Sequence, residues 1–332
     1  MIALRILFAC TFLVALCCSS MAKDDPSEKA RPLLKAAAER SLFHAERDAA
    51  FGLLFSFDLR IWGAKPERGA YSWLVTPQGD SRQETRLPGY SDLEINRGTD
   101  LWIKRSVNSR TLPASWVEGG FSNFLYLDRA EDQVTRFWNT SEHHVDLRCV
   151  DLIRNMAERT LCFDQENNLR KVEIRNSYTT YEFSDYRQIG SKFAPGKIAV
   201  THEGRIVIDG AMQLLTAEPK YDRSLLDPPA GAVKRVGCLR PSLPSLKKKV
   251  DPEYPSTFRS AHRQGTVIAY VLIASDGSVQ EPTIIQTGGQ YLDASVLKAL
   301  PKWQFEPAKC GENPIEFDAE ITIDFSLGMI RW

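Results

Sequence analysis

Two adjacent histidines, His143 and His144, are the side chains of this sequence that first suggest metal chemistry. Acidic residues stand beside them, Glu142 and Asp146, and imidazole together with carboxylate is a common ligand set for zinc. Neighbouring residues of a strand point to opposite faces, so this spacing suits a single ion poorly. We interpret the pair as the solvated end of a strand and predict no metal site.

Cysteine chemistry points instead to disulfide bonds. Three of the seven cysteines fall in the apolar N-terminal segment, which leaves Cys149, Cys162, Cys238 and Cys310. An even number in an exported chain suggests disulfides, and four cysteines allow three pairings. Cys149 and Cys162 flank a short segment with a turn-like centre, so we favour Cys149–Cys162 and Cys238–Cys310. The sequence has no C-x-x-C spacing, so we predict neither a zinc site nor a redox site.

Catalytic motifs are missing from the sequence. It contains neither a Gly-x-Ser-x-Gly elbow, nor a P-loop, nor a dinucleotide-binding fingerprint. Lys+Arg and Asp+Glu both number 42, so there is no net positive charge to attract nucleic acid. We expect a binding protein that is not an enzyme, uses no cofactor and does not bind nucleic acid.

The N-terminus, residues 1–22, is typical of a secretory signal peptide. Arg5 supplies the positive charge, residues 6–18 are apolar, and small residues precede a cleavage site after Ala22. Two alternatives stay open: lipoprotein processing in a lipobox-like run that ends at Cys17, and retention as an uncleaved membrane anchor. Each alternative places the rest of the chain outside the cytoplasm.

The last quarter of the chain has the pattern of a small sheet under one helix. Asp276-Gly277 between two apolar β-rich runs predicts a hairpin turn. Apolar residues at helical spacing from Leu292 to Trp303 predict a helix, with Asp293 near its positive end. Residues 315–325 alternate between apolar and polar, which predicts a third antiparallel strand with one face in solvent. The polar face comprises Glu316, Asp318, Glu320, Thr322 and Asp324.

Residues 250–326 resemble the C-terminal domain of TonB, the energy-transducing protein of the bacterial envelope. The resemblance rests on short motifs in a fixed order, YP, GTV, DG, LD and WxFxP, followed by the alternating strand. The residues that carry it and are expected to form the core are Tyr254, Pro255, Gly265, Asp276, Gly277, Leu292, Asp293, Trp303, Phe305 and Pro307.

In the TonB family an extended peptide from an outer-membrane receptor adds beside the last strand. The resemblance therefore implies that an outer-membrane receptor or another envelope protein docks at the edge of the sheet. The implied partner-binding residues are Ile315, Phe317, Ala319, Ile321, Thr322, Ile323 and Phe325.

The region from residue 51 to residue 215 has a different pattern, in which short β-rich runs are separated by turn residues. Regular spacing of such runs predicts an antiparallel meander, curved or partly closed. A helix is predicted before it, at residues 32–44. A second helix is predicted at residues 112–127, broken at Gly119-Gly120.

Residues 32–227 resemble the LolA/LolB-like lipoprotein carriers. The resemblance lies in residues 87–90, 101–102, 182–186 and 193–195. It implies an incomplete β-barrel, capped by helices, around an apolar hollow that could hold a lipid or lipoprotein acyl chain. The candidate lining residues are Phe55, Phe57, Leu59, Ile61, Trp62, Trp73, Trp102, Trp116, Phe121 and Phe124, and the alternative for each is a place in a solid core.

The predicted organisation is therefore a signal peptide, a LolA/LolB-like domain at residues 32–227, a Pro/Lys linker at residues 228–249 and a TonB-like domain at residues 250–326, of class α+β. We expect a periplasmic binding protein with a docking domain, similar to TonB proteins that energise transport across the outer membrane. The linker is much shorter than the Pro-rich spacer of a typical TonB. A lipid or lipoprotein carrier, or a dimerising scaffold without energy transduction, is therefore kept as the alternative.

Overall fold

The structure is a computed structural model that describes residues 25–44, 50–61, 65–154, 157–238, 241–260, 264–326 and 329–331. The predicted signal peptide, residues 1–22, and Trp62 lie outside the described residues. No helix within the described ranges has both the length and the apolar character that crossing a bilayer requires.

The described chain is mostly β-structure with four α-helices. The helices are α1 (Pro26–Arg40), α2 (Leu112–Leu125), α3 (Ser256–Ser260) and α4 (Gln290–Ala299). The strands are β1 (Phe51–Leu59), β2 (Glu67–Val75), β3 (Ser81–Leu87), β4 (Tyr90–Arg97), β5 (Asp100–Arg105), β6 (Gln133–Glu142), β7 (Val145–Arg154), β8 (Ala157–Phe163), β9 (Leu169–Ile174), β10 (Thr179–Ser184), β11 (Arg187–Ile189), β12 (Lys192–Ala194), β13 (Lys197–His202), β14 (Arg205–Thr216), β15 (Val233–Val236), β16 (Ser245–Lys248), β17 (Gly265–Ile273), β18 (Val279–Gln286), β19 (Gln304–Glu306), β20 (Ala308–Cys310), β21 (Asn313–Ile315), β22 (Phe317–Ser326) and β23 (Met329–Arg331).

Thirteen strands form one sheet, which we call the N-terminal sheet. Their order is β15-β5-β4-β3-β2-β1-β14-β13-β10-β9-β8-β7-β6, and all of the pairings are antiparallel. Its end strands β15 and β6 do not pair with each other, so the sheet is open. The coarse prediction of a large antiparallel sheet that does not close is confirmed.

Helices α1 and α2 cover one face of this sheet and bury its core. Helix α1 begins at Pro26, earlier than predicted, because Asp25 caps it by accepting the Ser27 backbone N–H at 2.9 Å. Helix α2 is continuous across the two glycines that were predicted to break it. The core between the helices and the sheet is rich in aromatic side chains, among them Phe43 and Phe121 at 5.5 Å between ring centroids.

A second hydrophobic core lies in residues 250–326, which we call the C-terminal module. Its sheet has the order β18-β17-β22-β23, one strand more than predicted, because β23 pairs with the end of β22. Helix α4 packs on one face through Leu292, Val296 and Ala299. Trp303 belongs to the same core, is 2% exposed and donates its indole N–H to the Val250 carbonyl at 2.7 Å.

Both predicted disulfides form. Cys149 and Cys162 lie opposite each other on the neighbouring strands β7 and β8. Cys238 and Cys310 join the segment after β15 to β20. The residues predicted as a linker are thus held at several points, since β15 pairs with β5 of the N-terminal sheet and β16 pairs with β19 near the C-terminal module's turn.

Candidate ligand cavity and docking strand

A cavity of about 300 Å³ lies between helix α2 and the face of strands β2–β5 that the helix covers. This volume is at the lower end of the range for small-molecule sites. One part of the wall is apolar and comprises Phe43, Phe51, Tyr71, Trp73, Phe121 and Leu125. Another part is polar and comprises Ser81, Gln83, Glu94 and Asn96.

Strand alternation explains why these residues share the wall. Trp73 pairs with Gln83, and Gln83 pairs with Glu94, and directly paired residues point to the same face of a sheet. The indole N–H of Trp73 is buried, and it has no hydrogen-bond partner among the described residues. A buried donor without a partner is costly, so a ligand atom that accepts from Trp73 would be favoured.

Of the residues predicted to line the hollow, Trp73 and Phe121 do so and Trp102 does not. Trp102 is flanked on β5 by Leu101 and Ile103, which line the cavity, so it points to the opposite face. There its ring lies 5.4 Å from the Lys234 ammonium group. The prediction for Trp102 is wrong because it followed the aromatic type of the residue and not the alternation of side chains along the strand.

Three more of the predicted lining residues, Phe55, Phe57 and Trp116, fill solid core. Phe55 and Phe57 are 1% and 2% exposed and stack on each other at 5.6 Å, outside the cavity wall. Trp116 packs on the His202 imidazole at 5.0 Å. For these three residues the alternative stated above, a place in the core, is the one the structure shows.

A group of charged residues lies at the side of the cavity where the N-terminal sheet meets the C-terminal module. We call it the interface charge cluster. It comprises Asp92, Glu94, Arg105, Arg110, Glu118, Arg235, Glu316 and Asp318. All but Asp92 and Arg105 also contribute to the cavity wall.

Asp318 of the module contacts two arginines of this cluster. Its carboxylate accepts a hydrogen bond from Arg105 Nη2 at 2.7 Å and another from Arg235 Nη1 at 2.8 Å. Arg105 also donates to the Tyr270 hydroxyl at 2.7 Å and to Asp92 at 2.9 Å. One guanidinium of β5 therefore connects two strands of the module to the N-terminal sheet.

The electrostatics of the cluster favour the ionised form of Asp318. Burial alone would raise the pKa of its carboxyl group, but Arg105, Arg110 and Arg235 outweigh that effect and hold the pKa well below its ordinary value of 3.8. Burial lowers the pKa of the Arg235 guanidinium, but its contact with Asp318 outweighs this effect and raises the pKa. Burial also raises the pKa of Glu118 to about 8, while Arg110 partly offsets this rise.

A second contact between the two parts is centred on His202 at the end of β13. Its Nε2 lies 3.0 Å from Gln286 Oε1 of β18, and its Nδ1 lies 3.1 Å from Thr179 Oγ1. Burial lowers the pKa of this imidazole. Ile268 and Tyr270, on the same face of the module's sheet as Gln286, are 1% and 3% exposed. This face of the module is therefore covered.

Strand β22 was predicted to dock a partner, and its polar side chains Asp318 and Glu320 lie on this covered face. Asp318 was predicted to face solvent, yet its side chain is 13% exposed. The residues opposite Asp318 and Glu320 on β17 are the buried Leu272 and Tyr270, and the Tyr270 hydroxyl accepts a hydrogen bond from Arg105 of the N-terminal sheet. An alternating pattern distinguishes the two faces of a strand but not solvent from a polar interface.

The apolar residues assigned to partner binding are divided between several places. Ile323 and Phe325 are buried in the module's core, and Ala319 and Ile321 pack partly buried against it. Ile315 belongs to β21, and it lines the cavity together with Phe317. Thr322 pairs with Ile268 of β17. Docking by β22 would therefore use its backbone edge, since most of these side chains are already packed.

The motif residues of the module have structural roles. Tyr254, Leu292 and Phe305 belong to its core. Asp293 accepts hydrogen bonds from the Gly288 N–H at 2.9 Å and from the Thr287 hydroxyl at 2.6 Å, which fixes the start of α4. The remaining motif residues lie at turns and element ends: Pro255 precedes α3, Gly265 begins β17, Asp276 and Gly277 form the β17–β18 turn, and Pro307 separates β19 from β20.

Sequence reasoning missed the arginines of the interface charge cluster. Arg105, Arg110 and Arg235 are single basic residues without a motif, and their partners lie up to 213 positions away in the chain. The one available indication was strand parity, because Arg105 shares a face with Leu101 and Ile103. His143 and His144, the adjacent histidines for which no metal site was predicted, lie exposed in the turn between β6 and β7.

Comparison with known proteins supports the assignment of the module. Residues 250–327 match the family described as Gram-negative bacterial TonB protein C-terminal. Protein TonB2 of Pseudomonas aeruginosa is 34% identical over 77 residues, which are 23% of this chain and 28% of that protein. The chain thus spans just over a quarter of the relative's length. The predicted resemblance to the TonB C-terminal domain is confirmed.

Solved structures are similar to each part of the chain. A LolA superfamily protein from Nitrosomonas europaea matches with a TM-score of 0.41 and 14% identity, covering 59% of this chain and 96% of that one. The Pseudomonas aeruginosa TonB C-terminal domain matches with a TM-score of 0.24 and 25% identity, covering 29% of this chain and 97% of that one.

Proposed function

We propose that this chain is a non-enzymatic binding protein of the bacterial periplasm whose C-terminal module docks an envelope protein along the edge of β22. The match of residues 250–327 to the TonB C-terminal family carries the proposal. The partner is an extended segment of an outer-membrane receptor or of another envelope protein. Its backbone hydrogen bonds to β22 provide the affinity, as in other cases of strand addition.

The edge of β22 is suited to this role over part of its length. Strand β23 pairs only with residues 324–326, and within the described chain no strand pairs with the same edge of β22 before them. A free run of backbone donors and acceptors is a template for another strand.

Site-specific cross-linking tests the proposal in cells. A photo-reactive residue at Thr322 of β22 is compared with one at Thr283, which is exposed on the opposite edge strand β18. We expect an adduct with an outer-membrane protein from position 322 and none from position 283. Equal adducts from both positions, or adducts from 322 with this chain alone, would show that β22 is not a docking edge.

A second function, carriage of an apolar or amphipathic ligand, is favoured by the cavity. Its wall combines aromatic side chains with the unpartnered Trp73 N–H, a combination that suits a chain-like ligand with one polar group. The proposed carrier would move a lipid or lipoprotein acyl chain through the periplasm.

Binding of a fluorescent fatty acid to the delipidated chain tests this second function. Trp73→Arg places a charge in the cavity and should abolish saturable binding. Trp102→Arg, on the opposite face of the same sheet, is the matched control and should leave binding unchanged. A wild-type protein that binds no probe, or a Trp73→Arg protein that binds as the wild type does, contradicts the carrier proposal.

A further inference from the structure

The C-terminal module closes one side of the cavity in the N-terminal sheet. Glu316, Phe317 and Asp318 of the module line it together with Arg235 of β15 and residues of β2–β5. The apolar wall and the charged wall therefore belong to one continuous space. If the module moved away, the charged side of that space would open to solvent.

The two arginines at this side depend on the module to different degrees. Both carboxylates that form ion pairs with Arg235 in the described structure come from the module, Asp318 at 2.8 Å and Glu316 at 3.3 Å. Arg105 has Asp92 and Glu94 of its own sheet as well as Asp318. Undocking would leave Arg235 without those two carboxylates and Arg105 with one ion pair fewer.

This geometry matches the recognition of an anionic head by guanidinium groups. Charge-assisted hydrogen bonds from arginine to a carboxylate or phosphate are short and strong, and two converging guanidinium groups hold one anion well. Asp318 is held in this way, at 2.7 and 2.8 Å, beside an apolar cavity. A ligand with its tail in the cavity would place an anionic head near the same two arginines.

We infer that an anionic amphiphile and the C-terminal module compete for Arg105 and Arg235, with Glu316 and Asp318 standing in for the ligand's head in the docked state. The inference rests on the proposed amphiphile-binding function of the cavity. Ligand binding then releases the face of the module that includes β22. Because coupling is reciprocal, a partner that binds the released module more tightly than the docked module strengthens ligand binding by the same factor.

The Cys238–Cys310 disulfide limits how far the released module can move from the cavity. It ties β20 to the residue that follows β15 by two positions, so the module stays attached beside the cavity after the ion pairs break. The module can therefore dock again without diffusing away, and its effective concentration at the arginines stays high.

The test compares two probes with the same tail, decanoate and decan-1-ol, by calorimetry on the mature chain below their aggregation concentrations. Glu316→Gln/Asp318→Asn removes the competing carboxylates and should raise the affinity for decanoate about tenfold, with little change for decanol. Arg235→Gln should lower the affinity for decanoate and spare decanol. Glu312→Gln removes an acidic side chain from an exposed turn of the module, away from the arginines, and as the control should resemble the wild type.

Hydrogen exchange of residues 317–326 gives a second measurement on the unmodified chain. Saturating decanoate should speed exchange in this segment, and decanol should do so less. If neither probe binds the wild type, the amphiphile-binding function itself fails. If both probes bind but the carboxylate and arginine variants treat them alike, the cavity binds amphiphiles and the competition inferred here is overturned.

Discussion

At the scale of single residues, Asp318 joins guanidinium groups from two strands of the N-terminal sheet to the C-terminal module. Its contacts with Arg105 and Arg235 are both below 3 Å, and its side chain is 13% exposed. Removing one partner of a buried hydrogen-bonded pair costs more than the pair contributes, because the other charge stays desolvated. The free energy of docking should therefore be more sensitive to Asp318 than to any exposed acidic residue of the module.

The pH dependence of docking follows from the lowered pKa of Asp318. A carboxyl group whose pKa is lower in the docked state than its free value of 3.8 favours docking above that value and loses this contribution as pH falls through the docked-state pKa. We expect docking to weaken below about pH 4 through Asp318, and any loss between pH 7 and 5 to come from His202, because protonating an imidazole whose pKa is lowered by burial opposes its buried state. Small-angle scattering checks this, since undocking increases the radius of gyration.

Asp318→Asn provides the control for that titration. The variant should already be more extended at pH 7, and its remaining change with pH reports the other carboxyl groups. A variant with the same dimensions and the same acid transition as the wild type would show that Asp318 does not hold the module.

Single residues also show the limits of sequence reasoning at this scale. The four cysteines could be paired correctly because the predicted export, an even count and a short intervening segment favour one simple solution. Trp102 was assigned to the cavity from its aromatic type, although the alternation with Leu101 and Ile103 places it on the other face. Arg235 could not be found at all, because its importance depends on carboxylates about 80 positions away that only the fold brings near.

At the scale of elements, the role of one glycine was predicted correctly from the sequence and the role of another was not. Gly277 was predicted correctly as a turn residue, and its φ is +82°. Gly119 was predicted to interrupt α2, yet the helix continues through it. A Cβ at position 119 would lie 2.2 Å from the Tyr181 hydroxyl oxygen, so this glycine permits close packing of the helix on β10. Sequence alone does not separate a glycine that bends the backbone from one that lets another element approach.

The β17–β18 turn gives a prediction with a matched control. Gly277→Ala should destabilise the C-terminal module by well over the roughly 1–2 kcal/mol that a left-handed alanine costs. The added Cβ would lie 1.9 Å from the Phe305 carbonyl oxygen, and the Phe305 N–H donates to the Gly277 carbonyl at 2.9 Å. Gly311→Ala has a positive φ of +61° but no neighbour within 4 Å, so it should show the backbone cost alone.

The loss of unfolding free energy in each variant is measured by urea denaturation, with hydrogen exchange of the core peptides of the module as the readout. Equal losses of unfolding free energy at positions 277 and 311 would mean that the contact with Phe305 relaxes without cost. A larger loss at position 311 would contradict the geometry of the turn.

At the scale of the whole molecule, the two disulfides stabilise different regions. Cys149 and Cys162 are 13 positions apart within one pair of strands, whereas Cys238 and Cys310 are 72 positions apart and join the two parts of the chain. Loop-closure entropy assigns about 3 kcal/mol to the first bond and about 4 kcal/mol to the second.

Removing each bond should therefore have a local signature. Cys149→Ala/Cys162→Ala should speed hydrogen exchange in β7 and β8 and leave the module unchanged. Cys238→Ala/Cys310→Ala should speed exchange in β20 and along the interface at Tyr270, and leave β7 unchanged. If the second variant keeps wild-type protection at the interface, the ion pairs hold the module without help from the disulfide.

The separate parts of the molecule could be predicted from the sequence better than their arrangement. The motifs of residues 250–326 are local and in order, and the β-rich pattern before them indicates an open antiparallel sheet. Docking of one on the other depends on the side of β22 that carries Asp318, and a polar face looks the same in sequence whether water or arginine covers it. The cavity wall is likewise shared by residues from both parts.

The Cys238–Cys310 bond also determines how tension would travel through this protein. A pull applied to β22 by a docked segment reaches Cys310 within about a dozen residues and then crosses the disulfide directly to Cys238, next to β15. Residues 241–309 lie on the bypassed branch of this covalent path, so the chain between the two cysteines is not drawn out lengthwise. The load is passed instead to β15, at the edge of the N-terminal sheet and beside Arg235. A mechanical pull on β22 would therefore load the wall of the cavity first.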